Sequence, residues 1–140
     1  MRSSVRRVPC YELPLTHRPT RDGQQVTSTH VPFYLAMETM AEAWGRAIDS
    51  NCEGVLRAGD LGVVHVTSDF GREVFVGEAL VEVDLQQIGT ASLTFGLRLT
   101  QHGELAVRTT VVVAQVDPTR KHSVPFSIEQ HAALEVLAKL

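Results

Sequence analysis

The stretch from Pro32 to about Asp49 constrains this 140-residue chain more than any other, because it predicts a helix with almost no polar face. Phe33, Met37, Met40, Trp44, Ala47 and Ile48 recur at steps of three and four, which marks one buried stripe. Leu35, Ala36, Ala41 and Ala43 widen it, while Glu38, Glu42 and Arg46 form a single polar strip at steps of four. Thr29 or His30 is placed to cap the start, Pro32 suits a first turn, and Asn51 and Gly54 stop the helix. A helix so apolar has to be covered on most sides.

The downstream half of the chain supplies the cover. Leu61 to Phe70, Glu73 to Ile88, Thr90 to Gln101 and Glu104 to Val116 all read as strands. The alternation is sharpest at Val81, Val83 and Leu85, and again at Leu93, Phe95, Leu97 and Leu99. His102-Gly103 is a two-residue turn, and connections this short require antiparallel pairing. Val8 to Leu15 predicts a further short strand, Thr16 to Thr29 a long polar loop, and Asp117-Pro118-Thr119 a turn. Ser127 to Leu140 reads as a closing amphipathic helix whose Ser127-Ile128-Glu129-Gln130 start is a capping box. The expected architecture is α+β: an antiparallel sheet of about five strands wrapped around the helix from Pro32, plus a C-terminal helix, in one domain over residues 1–140. One helix on one sheet should leave much apolar sheet surface uncovered, which calls for a partner.

Composition narrows the classes. Thirteen basic against sixteen acidic residues, for a net charge of −3, do not suit a nucleic-acid partner. No stretch approaches the ~20 apolar residues of a membrane span, and the basic start, Met1 to Arg7, is followed by no apolar signal region. Cys10 and Cys52 read as free thiols of a reducing, cytoplasmic compartment, with a single bridge as the alternative. His17, His30, His65, His102, His122 and His131 show no zinc-type spacing, and neither a nucleophile elbow nor a phosphate loop occurs. No metal and no cofactor is expected.

The order of elements, with these residues, resembles the hotdog fold and, within it, the acyl-CoA thioesterases related to 4-hydroxybenzoyl-CoA thioesterase. The likeness covers nearly the whole chain. Asp22 and Tyr34 stand at the separation at which that family places a loop aspartate and a helix tyrosine. Phe75 to Leu80 resembles its strand start at a Gly-acid pair, Gln87 to Ser92 its Gly-centred bend, and Asp117 to Pro125 its final basic turn. The chain departs from the family at Gln24, at Ser28-Thr29-His30-Val31-Pro32, and at Thr39, where the family's helix glutamate falls. The Gly-Asp-x-Asn-Pro-x-His stretch of the fold's hydratases is missing.

The resemblance implies hydrolysis of an acyl-CoA to free acid and CoA, which needs a carboxylate and N–H donors for the oxyanion. By that analogy Asp22 is base or nucleophile, and the amides of Thr29 and His30 at the helix N-terminus polarise the carbonyl. Asp22 before Gly23 is also ordinary turn chemistry. Tyr34 and Glu38 are candidate substrate contacts, Glu38 being the reserve carboxylate or else a member of the polar strip. Arg120 and Lys121 are candidates for the phosphates of coenzyme A. The resemblance also implies a homodimer, or a homotetramer, with pockets at the interface. The alternatives are a thioesterase acting on an acyl carrier protein and a non-catalytic acyl-CoA binding module.

Overall fold

The structure is a computed structural model that describes residues 8–140; the basic start at Met1 to Arg7 lies outside the described residues. In chain order the strands are β1 (Cys10–Leu15), β2 (His30–Val31), β3 (Leu61–Phe70), β4 (Val74–Phe75), β5 (Gly77–Ile88), β6 (Ser92–Gln101) and β7 (Glu104–Gln115). Helix α1 (Phe33–Asn51) lies between β2 and β3, and α2 (Ile128–Ala138) closes the chain. Five strands form one antiparallel sheet in the order β1-β5-β6-β7-β3, and β2 pairs with β4 in a separate ribbon.

The sheet wraps α1 as the periodicity requires. Leu35, Ala36, Met40, Ala43, Trp44, Ala47 and Ile48 are buried, and Trp44 stacks on Phe95 of β6 with ring centroids 5.8 Å apart. Cross-strand rows carry the core across the sheet: Leu85, Phe95 and Val111 form one, Val83, Leu97 and Thr109 the next. Trp44→Ala is expected to destabilise the fold by about 3–5 kcal/mol, read as a lowered urea midpoint, because the emptied volume lies between helix and sheet.

Local chemistry agrees with the sequence at the turns. His102 and Gly103 both adopt positive φ (52° and 76°), the two-residue turn that a twisted hairpin needs. Ser127 Oγ accepts from the Gln130 amide at 3.1 Å, and Gln130 Oε1 accepts from the Ser127 amide at 3.0 Å, so the capping box forms. Gln130 then donates to the Val55 carbonyl and to Gln115 Oε1, tying α2 to the exit of α1 and to β7.

Two expectations need correction. Phe33 does not belong to the buried stripe: it is 66% exposed, because the first turn of α1 projects past the sheet. Neither Thr29 nor His30 caps α1; the N-cap is Pro32, which supplies no side-chain hydrogen bond. The expected uncovered apolar surface is present, while much of the sheet's outer face is charged. There Glu82, Arg98, Arg108 and Asp69 stand side by side across four strands, and Arg98 faces Glu82 at 3.8 Å. Apolar side chains stay uncovered along β3 on the inner side, at the start of α1, at Leu80 on the outer face of β5, and at Ile128 and Val136 of α2.

Candidate active site at the start of the central helix

The core rows all run out at β3. Val113 pairs with Val63, Val111 with Val66, Thr109 with Ser68 and Val107 with Phe70, so these β3 side chains face the same side as the core. Yet Val66 and Phe70 are 41% and 45% exposed, because α1 packs on the β1, β5 and β6 side of the sheet and leaves this edge open. Phe33 meets Phe70 edge to face at 6.2 Å and Tyr34 at 6.1 Å. Between the row and the helix, Ser68 Oγ shares a 2.7 Å hydrogen bond with Thr109 and lies 3.2 Å from the Met37 sulfur.

The start of α1 opens onto this row. The first amides of a helix have no acceptor within it. Pro32 contributes no cap, and the Leu35 amide bonds back to the Pro32 carbonyl at 3.1 Å, so Phe33 and Tyr34 carry the donors that face outward. A cavity of about 350 Å³ lies there, lined by His30, Val31, Phe33, Phe70, Arg72 and neighbours. A second, of about 440 Å³, lies under the loop between His17 and Thr29, against Val76.

The residues singled out in the sequence fall in several places. His30 lines the helix-end cavity and Thr29 the loop cavity. Their amides do not stand at the helix N-terminus: His30 belongs to β2, whose pairing with β4 keeps the backbone extended, and its N–H bonds Ser28 Oγ at 3.2 Å. Tyr34, 57% exposed, stands in the first turn of α1. Asp22 sits at the tip of a tight turn in which the Gly23 amide bonds the Thr20 carbonyl at 2.9 Å. The Thr20 hydroxyl donates to the Asp22 carboxylate and holds its pKa below the ordinary aspartate value. Glu38 pairs with Arg18 of the same loop. Arg120 lies elsewhere, its guanidinium donating to the carbonyls of Gly59 at 3.1 Å and Leu61 at 3.4 Å, and Lys121 is exposed beside it. Leu61 and Phe70 are the two ends of β3, about 30 Å apart at strand rise, so one chain cannot bring Arg120 to the helix-end cavity. Among the described residues no group of three or more acidic, His or Cys side chains is arranged to hold a metal, and no helix is long and apolar enough to cross a membrane.

Sequence reasoning missed Phe33, Val66, Ser68 and Phe70. The signal available was a serine at an inward position of a Val-rich strand, between Val66 and Phe70.

This architecture is the hotdog fold, in which a long antiparallel sheet wraps one central helix. Solved structures share it over nearly the whole chain. A Thermus thermophilus thioesterase, solved with coenzyme A and Zn, superposes with a TM-score of 0.75 at 19% identity, covering 92% of each chain. A Staphylococcus aureus protein in complex with CoA gives 0.77 at 13% identity, over 99% of this chain and 89% of that one. The 1,4-dihydroxy-2-naphthoyl-CoA thioesterase from Synechocystis gives 0.66 at 20% identity, over 91% and 96%. No known family profile matches the sequence, and no curated protein matches it.

Proposed function

We propose that this protein hydrolyses the thioester of an acyl-CoA to free acid and CoA, acting as a homodimer. The observation that carries this reading is the uncapped start of α1, opening into a cavity beside an uncovered apolar row. The helix end is an anion-favouring site suited to a developing oxyanion, and the row suits an acyl group. The solved thioesterases of the same fold, one of them holding coenzyme A, support it.

The Phe33 and Tyr34 amides take the role that the family resemblance gives to Thr29 and His30. They donate to the carbonyl oxygen as it becomes an oxyanion, a contribution of about 3 kcal/mol per well-aimed donor. Asp22, ionised at neutral pH, takes a proton from the attacking water or attacks the carbonyl itself. The C–S bond then breaks, and the sulfur leaves as the thiolate of CoA; where Asp22 has attacked, water then hydrolyses the acyl-aspartyl anhydride, releasing the acid and restoring the carboxylate. Tyr34, Phe33, Val66 and Phe70 line the path of the acyl chain.

The two sheet edges support a particular arrangement of the second copy. Strand β1 is blunted by Pro14, whereas among the described residues β3 pairs with β7 alone and offers its other edge. Two β3 strands joined antiparallel about a twofold axis merge the two sheets and bring the two apolar rows together. That arrangement also sets the Leu61 end of one copy beside the Phe70 end of the other. The Arg120–Lys121 turn of the second copy thereby reaches the helix-end cavity, where Lys121 meets the phosphates of CoA and Arg120 braces the turn.

One observation favours a binding module without turnover: the Asp22 carboxylate engages only its own turn. Incubation with acyl-CoA in H₂¹⁸O separates the two readings. Hydrolysis puts ¹⁸O into the released acid, seen by mass spectrometry; a binder returns the acyl-CoA intact. Parallel assays with acyl-carrier-protein thioesters decide the carrier.

A further inference from the structure

The loop between Thr16 and Thr29, which carries Asp22, contains neither helix nor strand. Its two ends are closed on each other and on the ribbon. His17 Nε2 bonds the Ser28 carbonyl at 2.6 Å, and the Val76 amide donates to the Thr29 carbonyl at 2.8 Å. Its tip is shaped from within, by the Thr20 amide on the Gln24 carbonyl at 2.8 Å and by the Thr20 hydroxyl. None of these bonds fixes the tip relative to α1. Among the described residues one hydrogen-bonded tie runs from the loop to the helix, the guanidinium of Arg18 on the carboxylate of Glu38.

We propose that the Arg18–Glu38 pair is a latch that holds the Asp22 loop over the open end of α1, making Arg18 and Glu38 positioning residues. The proposal rests on the hydrolase reading for its catalytic part only. Glu38 lies one helical turn beyond Tyr34 on the same side of α1, so the latch draws the loop toward the outward-facing amides. Asp22 follows Arg18 by four residues, a reach of at most about 14 Å. Fixing Arg18 therefore confines the carboxylate to the neighbourhood of the helix end.

Both partners are well exposed, at 58% and 60%, so the pair adds little to global stability. A surface loop with few other tethers is a different case: its local opening costs little, and one ion pair changes its populations several-fold.

The test compares wild type, Arg18→Gln, Glu38→Gln and the exchanged pair Arg18→Glu with Glu38→Arg. Amide hydrogen exchange of residues 18–27 and kcat and KM for acyl-CoA hydrolysis are measured together. Each single variant is expected to exchange several-fold faster in the loop and to lose kcat several-fold, with an unchanged thermal midpoint. The exchanged pair is expected to recover both. Unchanged exchange in the single variants, or no recovery in the exchanged pair, overturns the latch. So does a loss of turnover by orders of magnitude in Glu38→Gln with the loop as protected as in wild type, because Glu38 then acts in the chemistry. If wild type itself hydrolyses nothing, the exchange data still decide the latch, while the hydrolase reading fails separately.

Discussion

Asp22→Asn is expected to lower thiol release from acyl-CoA by roughly 10²–10⁴-fold with little change in KM, the loss typical when a general base is removed. The amide keeps the shape of the side chain and the turn that Gly23 permits at φ 85°. It cannot take a proton from water or attack the carbonyl. The pH dependence gives a second signature. The Thr20 hydroxyl lowers the Asp22 pKa, so the working carboxylate form persists through neutral pH and down into the acid range. The wild-type rate should accordingly fall only below the ordinary aspartate range. Thr20→Val removes the hydrogen bond, so the acid limb is expected to move upward. A rate unchanged in Asp22→Asn would transfer the role to another group.

Val66→Lys is expected to have an effect of the same order through assembly. Val66 lies on the open inner side of β3, paired with Val111, at the centre of the row that a second copy would cover. A lysine there remains hydrated in the monomer but places two ammonium groups in the apolar seam of the dimer, a burial that unpaired charges resist strongly. Sedimentation should show a monomer of native circular dichroism, and turnover should be lost because Lys121 of the second copy no longer reaches the site. Thr110→Lys, on the outer face of β7, is the control and should leave mass and rate unchanged. A Val66→Lys protein that stays dimeric would exclude β3 as the seam.

Much of the fold was legible because periodicity reports which side of an element is apolar. The steps linking Met40, Trp44 and Ile48 define the covered face of α1, and the alternation at Val81–Leu85 and Leu93–Leu99 defines the inner face of the sheet. Residues with fixed backbone demands, His102-Gly103 and Ser127 with Gln130, mark their turn and cap for the same local reason. Periodicity does not report what covers an apolar side. Phe33 continues the buried stripe by spacing, and Val66 and Phe70 continue the core rows, yet Phe33 projects past the sheet and the other two lie beyond the reach of α1. The pairing of His30–Val31 with Val74–Phe75 depends on contacts far apart in the chain, and it moved the helix start from the expected amides to Phe33. Arg120 illustrates the same limit for the site. Its place in a basic turn was visible, but its bonds to Gly59 and Leu61 fix it at the far end of β3 from His30.

The most direct test of hydrolysis is free-thiol release by the wild-type protein from a panel of short, long and aromatic acyl-CoAs, with each concentration varied through saturation. Saturable release of CoA thiol from at least one class is the predicted result, and it names the acyl group. Retention of every acyl-CoA without release of thiol would contradict hydrolysis and leave this fold as a binding module.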